Sequence, residues 1–125
     1  GKEVCIIGRT LVAGKPLSVL MLNADATVTV CHSKTENSKE VAKRADVLVA
    51  AIGKAKAIGS SYCKEGATVI DVGINVDKDG NLCGDVDYDT VKEVAEKLSP
   101  VPGGLGAVTT AVLAKHVVKA YKLLH

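Results

Sequence analysis

Four short apolar runs recur along the first part of the chain, at residues 4–7, 26–31, 46–52 and 67–73. Continuous runs rich in β-branched residues are typical of strands that are buried on both faces of a parallel sheet. Stretches with helical spacing of apolar residues separate the runs. This alternation predicts an α/β protein with a doubly wound, mostly parallel sheet and right-handed crossovers.

The segments between the runs predict the helices. The first helix begins near Pro16, because a proline near a helix start has a preset φ and loses no needed hydrogen bond. It ends near Asn23, and the second helix runs through Lys43. A short helix is predicted around residues 60–64.

The second half of the chain breaks this simple alternation. Residues 77–80, Asp-Lys-Asp-Gly, predict the turn of a β-hairpin. A charged amphipathic helix is predicted over about residues 87–97, and a mostly apolar helix over residues 108–124. Tyr88 and Lys92 have the Tyr-x-x-x-Lys spacing of some reductases. Their place on a charged helix, away from the strand ends, favours a surface role over catalysis.

The loop between the first strand and the first helix begins at Gly8 and ends at Gly14. A helix N-terminus behind such a loop offers free N–H groups and a positive dipole end, which suits a phosphate. A nucleotide-triphosphate P-loop is disfavoured, because five residues rather than four separate the glycines and Pro16 replaces the magnesium-binding hydroxyl. The Gly-x-Gly-x-x-Gly fingerprint is also absent. Two interpretations remain: a variant phosphate loop that carries Arg9, or a plain strand-to-helix connection.

The end of the second run bears on the choice of cofactor. A NAD site usually has Asp or Glu there, to bind the ribose 2′-hydroxyl. Here residues 32–35 are His-Ser-Lys-Thr, and the first acid is Glu36. A carboxylate would repel a 2′-phosphate, whereas hydroxyls and a lysine can bind it, so NADP is predicted over NAD. The alternative is a polar loop in which Thr35 or Asn37 caps the second helix.

Other strand ends carry residues that suit a ligand, since ligands of parallel α/β sheets bind at the carboxyl ends of the strands. Gly53, Ile74 and the loop at 100–106, which is rich in proline and glycine, are expected at the same edge as Arg9. Gly53 indicates either a close ligand approach or a simple turn. Asp71, inside the fourth run, is interpreted as a structural hydrogen-bond acceptor rather than a catalytic group.

Composition narrows the class of protein. A chain of 125 residues with 47% hydrophobic residues predicts one domain with a real core, and a net charge of +2 gives no reason to expect nucleic acid as a partner. No apolar run is long enough to cross a membrane, and no signal peptide is visible. The four cysteines are scattered singly, and Cys5 and Cys31 are interpreted as small buried residues, which favours a reducing, cytoplasmic setting. The start at Gly1, directly before the first strand, predicts a processed product or an excised domain.

Five motifs follow one another in a fixed order: Gly-Arg-Thr-Leu-Val-Ala-Gly-Lys-Pro at 8–16, Ala-Thr-Val-Thr-Val-Cys-His-Ser-Lys-Thr at 26–35, Val-Ile-Asp-Val-Gly-Ile-Asn at 69–75, Gly-Asp-Val at 84–86 and Pro-Val-Pro-Gly-Gly-Leu-Gly-Ala-Val-Thr at 100–109. Together they resemble the NADP-binding domain of the bifunctional methylenetetrahydrofolate dehydrogenase/cyclohydrolases. The resemblance covers essentially the whole chain and implies a single Rossmann-like domain over residues 1–125. Thr10 stands where the family has Ser, and Leu105, Ala107 and Val108 depart from the last motif.

The resemblance also implies roles for particular residues. Gly8, Arg9 and Thr10 would bind cofactor phosphate. Further along the chain, three residues would contact the two ends of the cofactor: His32 and Ser33 at the 2′-phosphate, and Ile74 against the nicotinamide end. Four residues would border the folate pocket: Val101, Pro102, Gly103 and Gly104.

The family reaction is hydride transfer from methylenetetrahydrofolate to NADP, followed by hydrolysis of the methenyl product. The family's catalytic lysine and its tyrosine partner belong to another domain, which no stretch of this chain matches. The chain alone is therefore expected to bind NADP without turning over the folate. The apolar last helix predicts a contact with that missing catalytic domain or with a second copy in a homodimer. The alternative function is a nucleotide-binding regulatory module without folate chemistry.

Overall fold

A computed structural model describes residues 1–11, 13–104, 112, 115–119 and 121–123. Its main feature is a parallel sheet of five strands, with helices between most of them. The elements in chain order are β1 (Glu3–Ile7), α1 (Gly14–Asn23), β2 (Thr27–Cys31), α2 (Ser38–Ala42), β3 (Val47–Ala50), a 3₁₀ turn (Ser60–Tyr62), β4 (Thr68–Asp71), β5 (Asn75–Val76), β6 (Leu82–Cys83), α3 (Tyr88–Val91) and β7 (Lys97–Leu98).

The strands lie in the order β2-β1-β3-β4-β7. The chain thus leaves β1 to one side for β2 and then crosses back to the other side for β3. The register aligns Ile7 of β1 with Cys31 of β2 and with Ala50 of β3, so the carboxyl ends of these three strands are level. A reversal of strand order of this kind opens a crevice between the loops that leave the two strands. The predicted doubly wound parallel sheet is confirmed.

Apolar residues fill both faces of the sheet. The larger layer contains Cys5 and Leu48, with Ala42 of α2 and Val91 of α3 packed against them. On the opposite face, α1 covers a smaller layer made of Val4, Ile6 and Val49, with half-buried Leu17 and Met21. Successive side chains of β1 alternate between the two layers, as the period of a strand requires.

The four cysteines are buried free thiols, which confirms the interpretation of Cys5 and Cys31. The two sulfur atoms lie 3.7 Å apart, on neighbouring strands. Burial, together with the neighbouring Cys31 thiol, raises the pKa of Cys5 to about 12. Cys5 is therefore a packing residue rather than a nucleophile, because a thiol reacts as the thiolate.

The predicted hairpin turn is confirmed between β5 and β6, which pair in antiparallel fashion. The Asp77 carboxylate accepts the N–H groups of Asp79 and Asn81, each at 2.9 Å, and Gly80 has a positive φ of 81°. The helix predicted through Lys43 is also present. Asn37 is its N-terminal cap residue, without a side-chain capping bond.

The helix predicted over residues 87–97 is wrong beyond its first turn. α3 ends at Val91, and Lys97–Leu98 forms the edge strand β7 beside β4. The backbone explains the difference, because the N–H of Glu96 bonds to the carbonyl of Ala67 and that of Ser99 bonds to the carbonyl of Val69. Residues 96–99 thus satisfy carbonyls at the edge of β4, which a continued helix would leave without partners.

The remaining predictions concern short or partly described segments. The helix predicted around residues 60–64 is only the 3₁₀ turn. Residues 112, 115–119 and 121–123 are helical, within the helix predicted for 108–124, and the rest of that helix lies outside the described residues. Leu105, Ala107 and Val108 lie outside them as well. No helix in the described part of the chain is both long enough and apolar enough to span a membrane.

Candidate functional site: a cleft at the carboxyl ends of β1, β2 and β3

A cleft of about 400 Å³ opens where the strand order reverses. Three loops, one after each of β1, β2 and β3, form most of its wall, and the 3₁₀ turn contributes the rest. The lining residues are Ile7, Gly8, Arg9, Thr10, His32, Ser33, Thr35, Ser38, Ala51, Ile52, Lys54, Ala57, Ile58 and Tyr62. We call this space the carboxyl-edge cleft. It combines polar side chains on one side with apolar ones on the other, as ligand pockets commonly do.

The loop after β1 is folded tightly against its neighbours. Gly8 has a φ of +130°, and a Cβ there would overlap the carbonyl oxygen of Ala51. A Cβ on Gly14 would in turn overlap the carbonyl of Gly8. The Thr10 hydroxyl oxygen accepts the N–H of Ala13 at 3.2 Å, which closes the loop in front of α1. Only glycine fits at both ends of this loop.

This closure leaves donors free for a ligand. Within the described residues, no hydrogen bond engages the backbone N–H groups of Arg9, Thr10 and Leu11. The side chains of Arg9 and Thr10 are exposed and line the carboxyl-edge cleft. Because α1 begins at Gly14, its positive dipole end stands behind the same loop. An anion placed here meets N–H donors, a guanidinium and a helix terminus.

The loop after β2 uses its own side chains to form a turn. The Thr35 hydroxyl oxygen accepts the N–H of His32 at 2.8 Å, and Nδ1 of His32 accepts the N–H of Lys34 at 3.2 Å. Thr35 therefore closes this turn and does not cap α2, whose cap residue is Asn37. The Ser33 hydroxyl has no bond within the described part of the chain and lines the cleft. Nε2 of His32 is the ring nitrogen that remains available to a ligand.

The loop after β3 supplies the third wall, in which Ile52, Ala57, Ile58 and Tyr62 form an apolar surface. Lys54 adds an exposed ammonium group, and within the part of the chain that the structure describes no carboxylate lines the cleft. Sequence reasoning missed Lys54. The available signal was a lysine directly after the glycine at the end of the third run. With Arg9, it gives the cleft a net positive lining that favours an anionic ligand.

A pair of buried carboxylates supports the loops from below. Asp71 and Asp85 are 4% and 0% exposed. Asp71 accepts N–H groups from Gly73, Asp85 and Val86 at 2.9–3.1 Å, which confirms its structural role. Burial raises the pKa of Asp71, against the opposite effect of these N–H donors. Sequence reasoning quoted Gly84-Asp85-Val86 only as part of a resemblance and assigned Asp85 no role.

Other residues assigned from the sequence lie outside the cleft lining. Ile74 follows β4, with 70% of its side chain exposed, and is not among the residues that line the cleft. Val101, Pro102, Gly103 and Gly104 form a turn after β7, in which Pro102 and Gly103 are exposed. The structure therefore brings Gly8, Arg9, Thr10, His32 and Ser33 together in one cleft, and leaves Ile74 and residues 101–104 beyond it, after the ends of β4 and β7.

A second cleft, of about 350 Å³, lies at the opposite edge of the sheet, near the starts of β3, β4 and β7. Charges of both signs line it, and they include the ion pair between Lys64 and Asp46 at 2.7 Å. Because ligands of parallel sheets bind at the carboxyl ends of the strands, the carboxyl-edge cleft is the better candidate.

Comparison with solved structures finds the same fold. The bifunctional enzyme FolD, a methylenetetrahydrofolate dehydrogenase/cyclohydrolase from Campylobacter jejuni, matches with a TM-score of 0.95 and 40% identity, over 100% of this chain and 44% of its own. The Trypanosoma brucei enzyme, solved in complex with NADP cofactor and an inhibitor, matches with a TM-score of 0.87 and 38% identity, over 98% of this chain and 44% of its own.

Comparison of sequences finds relatives from the same group of proteins as the solved structures. A protein from Clostridioides difficile named bifunctional protein FolD is 59% identical over 98% of this chain and 43% of its own length, and its namesake from Methanoculleus marisnigri is 57% identical over 98% and 44%. The chain thus spans less than half the length of these relatives. The sequence model of the tetrahydrofolate dehydrogenase/cyclohydrolase NAD(P)-binding domain matches residues 1–125. The chain therefore belongs to the family of NAD(P)-binding domains of the tetrahydrofolate dehydrogenase/cyclohydrolases.

Proposed function

We propose that this chain binds NADP in the carboxyl-edge cleft and acts as the cofactor-binding part of a methylenetetrahydrofolate dehydrogenase/cyclohydrolase. One observation carries the choice of NADP. The cleft lining holds Arg9, Lys54 and the free Ser33 hydroxyl, and none of the described residues in it is a carboxylate. A NAD site would need an acid at the end of β2 for the ribose 2′-hydroxyl.

Each group has a distinct task in this proposal. The free N–H groups of residues 9–11 bind the cofactor diphosphate behind Gly8, as backbone donors at a helix N-terminus do. Arg9, His32 and Ser33 bind the 2′-phosphate, for which charge-assisted hydrogen bonds are strongest. The cofactor, when bound, supplies a nicotinamide ring that accepts a hydride. Ile74 lies against that ring and shields it from water with an exposed apolar side chain.

Hydride transfer requires the two reacting carbons at about 3–3.5 Å, which calls for a second wall opposite the nicotinamide. Residues 101–104 border the folate on this side. We propose that the opposite wall and the catalytic lysine and tyrosine belong to a separate domain, consistent with relatives of which this chain covers 43–44%.

The four buried free cysteines support a cytoplasmic setting.

A homodimer contact is proposed for the helical residues near the C-terminus, where Val117, Val118 and Leu123 are exposed. Light scattering during size-exclusion chromatography checks this point. A dimer that dissociates on changing Val117 and Val118 to serine supports it, whereas a monomer at all concentrations contradicts it.

Calorimetric titration of the purified chain with NADP and NAD tests the cofactor proposal. We expect tighter binding of NADP, with the difference reduced at high salt because charged groups contribute it. Equal or tighter binding of NAD contradicts the proposal.

An absorbance assay for NADPH tests the division of labour. The chain alone should give no NADPH from methylenetetrahydrofolate, and activity should appear when the catalytic domain of a relative is added. Turnover by the chain alone means that the catalytic residues lie within it. NADP binding without activity in the mixture favours the alternative function, a nucleotide-binding regulatory module.

A further inference from the structure

The carboxylate of Asp85 is fully buried and accepts four hydrogen bonds. One oxygen accepts the N–H groups of Ile52 at 2.8 Å and Gly53 at 3.1 Å. The other accepts the N–H of Lys54 at 3.0 Å and the side-chain amide of Asn75 at 2.8 Å. Three consecutive backbone N–H groups thus converge on one anion, which is how proteins commonly bind a phosphate or another external anion.

The backbone packs closely around the two buried carboxylates. A Cβ on Gly73 would overlap the carboxyl group of Asp85. A Cβ on Gly84 would overlap that of Asp71, which accepts the N–H of Asp85 at 3.0 Å. Both glycines let the backbone approach a carboxylate closely. Gly73 thus packs against the Asp85 side chain, while Asp71 holds the Asp85 backbone.

The Asp85 side chain is not needed to attach its own segment to residues 56–58, because the backbone already does so. The N–H of Ile58 bonds to the carbonyl of Asp85 at 2.9 Å, and the N–H of Asp87 bonds to the carbonyl of Ile58 at 2.8 Å. The N–H of Lys56 bonds to the carbonyl of Gly84 at 3.0 Å. These bonds engage residues 56–58. The side chain adds contacts to Asn75 and to residues 52–54, and two of those three residues, Ile52 and Lys54, line the carboxyl-edge cleft.

We propose that Asp85 is a positioning residue, which fixes the wall formed by residues 52–54 relative to the hairpin that starts beside Ile74. The inference rests on the proposed function, in which residues 52–54 and the start of the hairpin both contact the same bound NADP. By binding the N–H groups of Ile52 and Lys54, Asp85 fixes the position of one wall of the carboxyl-edge cleft. By accepting the side-chain amide of Asn75, it also fixes the position of the backbone next to Ile74, the residue proposed to contact the nicotinamide.

The first test needs no cofactor. Asp85→Asn keeps the shape of the side chain but replaces one acceptor oxygen with a donor, so two of the four donors lose their partner. Hydrogen exchange should accelerate at one or two of the amides of Ile52, Gly53 and Lys54, according to which oxygen is replaced, while that of the Ile58 amide, bonded to backbone, changes little. Unchanged exchange at residues 52–54 overturns the proposal whether or not the chain binds NADP.

The second test uses calorimetry with NADP and with its fragment 2′,5′-ADP, which lacks the nicotinamide half. Asp85→Asn should weaken both by roughly ten-fold or more, since two buried donors lose an acceptor at the cleft wall. Asn75→Ala removes only the link to the hairpin and should weaken NADP but spare the fragment. If the bond from Asn75 is merely structural, Asn75→Ala lowers both affinities together with the melting temperature.

The control is Asp77→Asn, the same chemical change at the hairpin turn, where it should leave both affinities unchanged. If Asp85→Asn does not fold, the Asn75→Ala comparison decides alone, and equal losses for the two ligands overturn the proposal. If the unaltered chain fails to bind NADP, the proposed function fails, and the exchange experiment still judges the position of residues 52–54.

Discussion

Two regions at the same edge of the sheet use glycine in different ways. In the loop at residues 8–14, Gly8 and Gly14 let backbone pack against backbone, and the N–H groups of residues 9–11 stay free within the described chain. In the segment that joins β4 to α3, Gly73 and Gly84 let backbone pack against the carboxylates of Asp85 and Asp71. The first region is open to an anion from outside, whereas the second region encloses anions of the chain itself, the carboxylates of Asp71 and Asp85.

The comparison explains why one region is a binding site and the other is a support. Free N–H donors at a surface can be satisfied by water until a phosphate replaces it. A buried carboxylate has no water to bind, so it must be satisfied within the protein. Changes in the second region are therefore expected to act on stability first, and changes in the first region on affinity first.

The largest effect is expected from Gly84→Ala. The new Cβ would overlap the Asp71 carboxylate and displace acceptors of buried N–H groups, so the free energy of unfolding should fall by about 2–4 kcal/mol. Urea unfolding measures it. Gly59→Ala is the matched control, because its Cβ would meet only the Thr90 hydroxyl, at 3.7 Å. Equal stability of the two variants would contradict the account of the Asp71 site.

Gly14→Val tests the open region. Its side chain would push against the carbonyl of Gly8 and the Cα of Arg9 and so move the free N–H groups. Overpacking lowers stability by about 1–3 kcal/mol, and we expect NADP binding, which needs the displaced N–H groups, to weaken by more than stability falls. Titration calorimetry and thermal unfolding measure the two quantities. If binding survives while the melting temperature falls, Gly14 is only a packing residue.

Ser33→Asp should reverse the electrostatic preference of the cleft. A carboxylate at the end of β2 would repel the 2′-phosphate, so NADP should bind more weakly by about 1–3 kcal/mol while NAD changes little. Ser61→Asp, in the exposed part of the 3₁₀ turn, provides the control with the same charge. An unchanged ratio of the two affinities would remove Ser33 from the 2′-phosphate site.

The smallest effect is expected at the opposite edge. The ammonium group of Lys64 and the N–H of Glu3 hold the pKa of the Asp46 carboxyl below its ordinary value. A lowered pKa gives stability that is present above the ordinary pKa and is lost as the pH falls through the lowered one. Asp46→Asn should therefore lower Tm slightly at pH 7, and the difference should vanish in acid. Asp79→Asn, at the exposed hairpin turn, is the control for the loss of one negative charge, and an Asp46→Asn difference that persists in acid would contradict this account.

Much of the fold and part of the candidate site could be predicted from local sequence patterns. The apolar runs predicted the first four strands with bounds within two residues, and the Asp-Lys-Asp-Gly turn predicted the hairpin. The first loop and the His32-Ser33 segment were both expected at the cleft, where they line one wall each. Two interpretations of the His32–Thr35 segment had to stay open, because a threonine that closes a turn and a serine that faces a ligand look alike in a sequence.

What the sequence by itself determined is set by contacts between near neighbours: buried strands from apolar runs, turns from glycine and aspartate, and the loop that precedes α1. Only the tertiary structure decided that Lys97–Leu98 is a strand, that Lys54 lines the cleft and that Asp85 anchors the third loop. Asp85 reaches amides 31–33 positions away, and Ser99 reaches the N–H of Asp71 across 28. A short polar segment carries no pattern that names such partners, because its conformation follows from the strand edge and the buried donors that the folded chain brings to it.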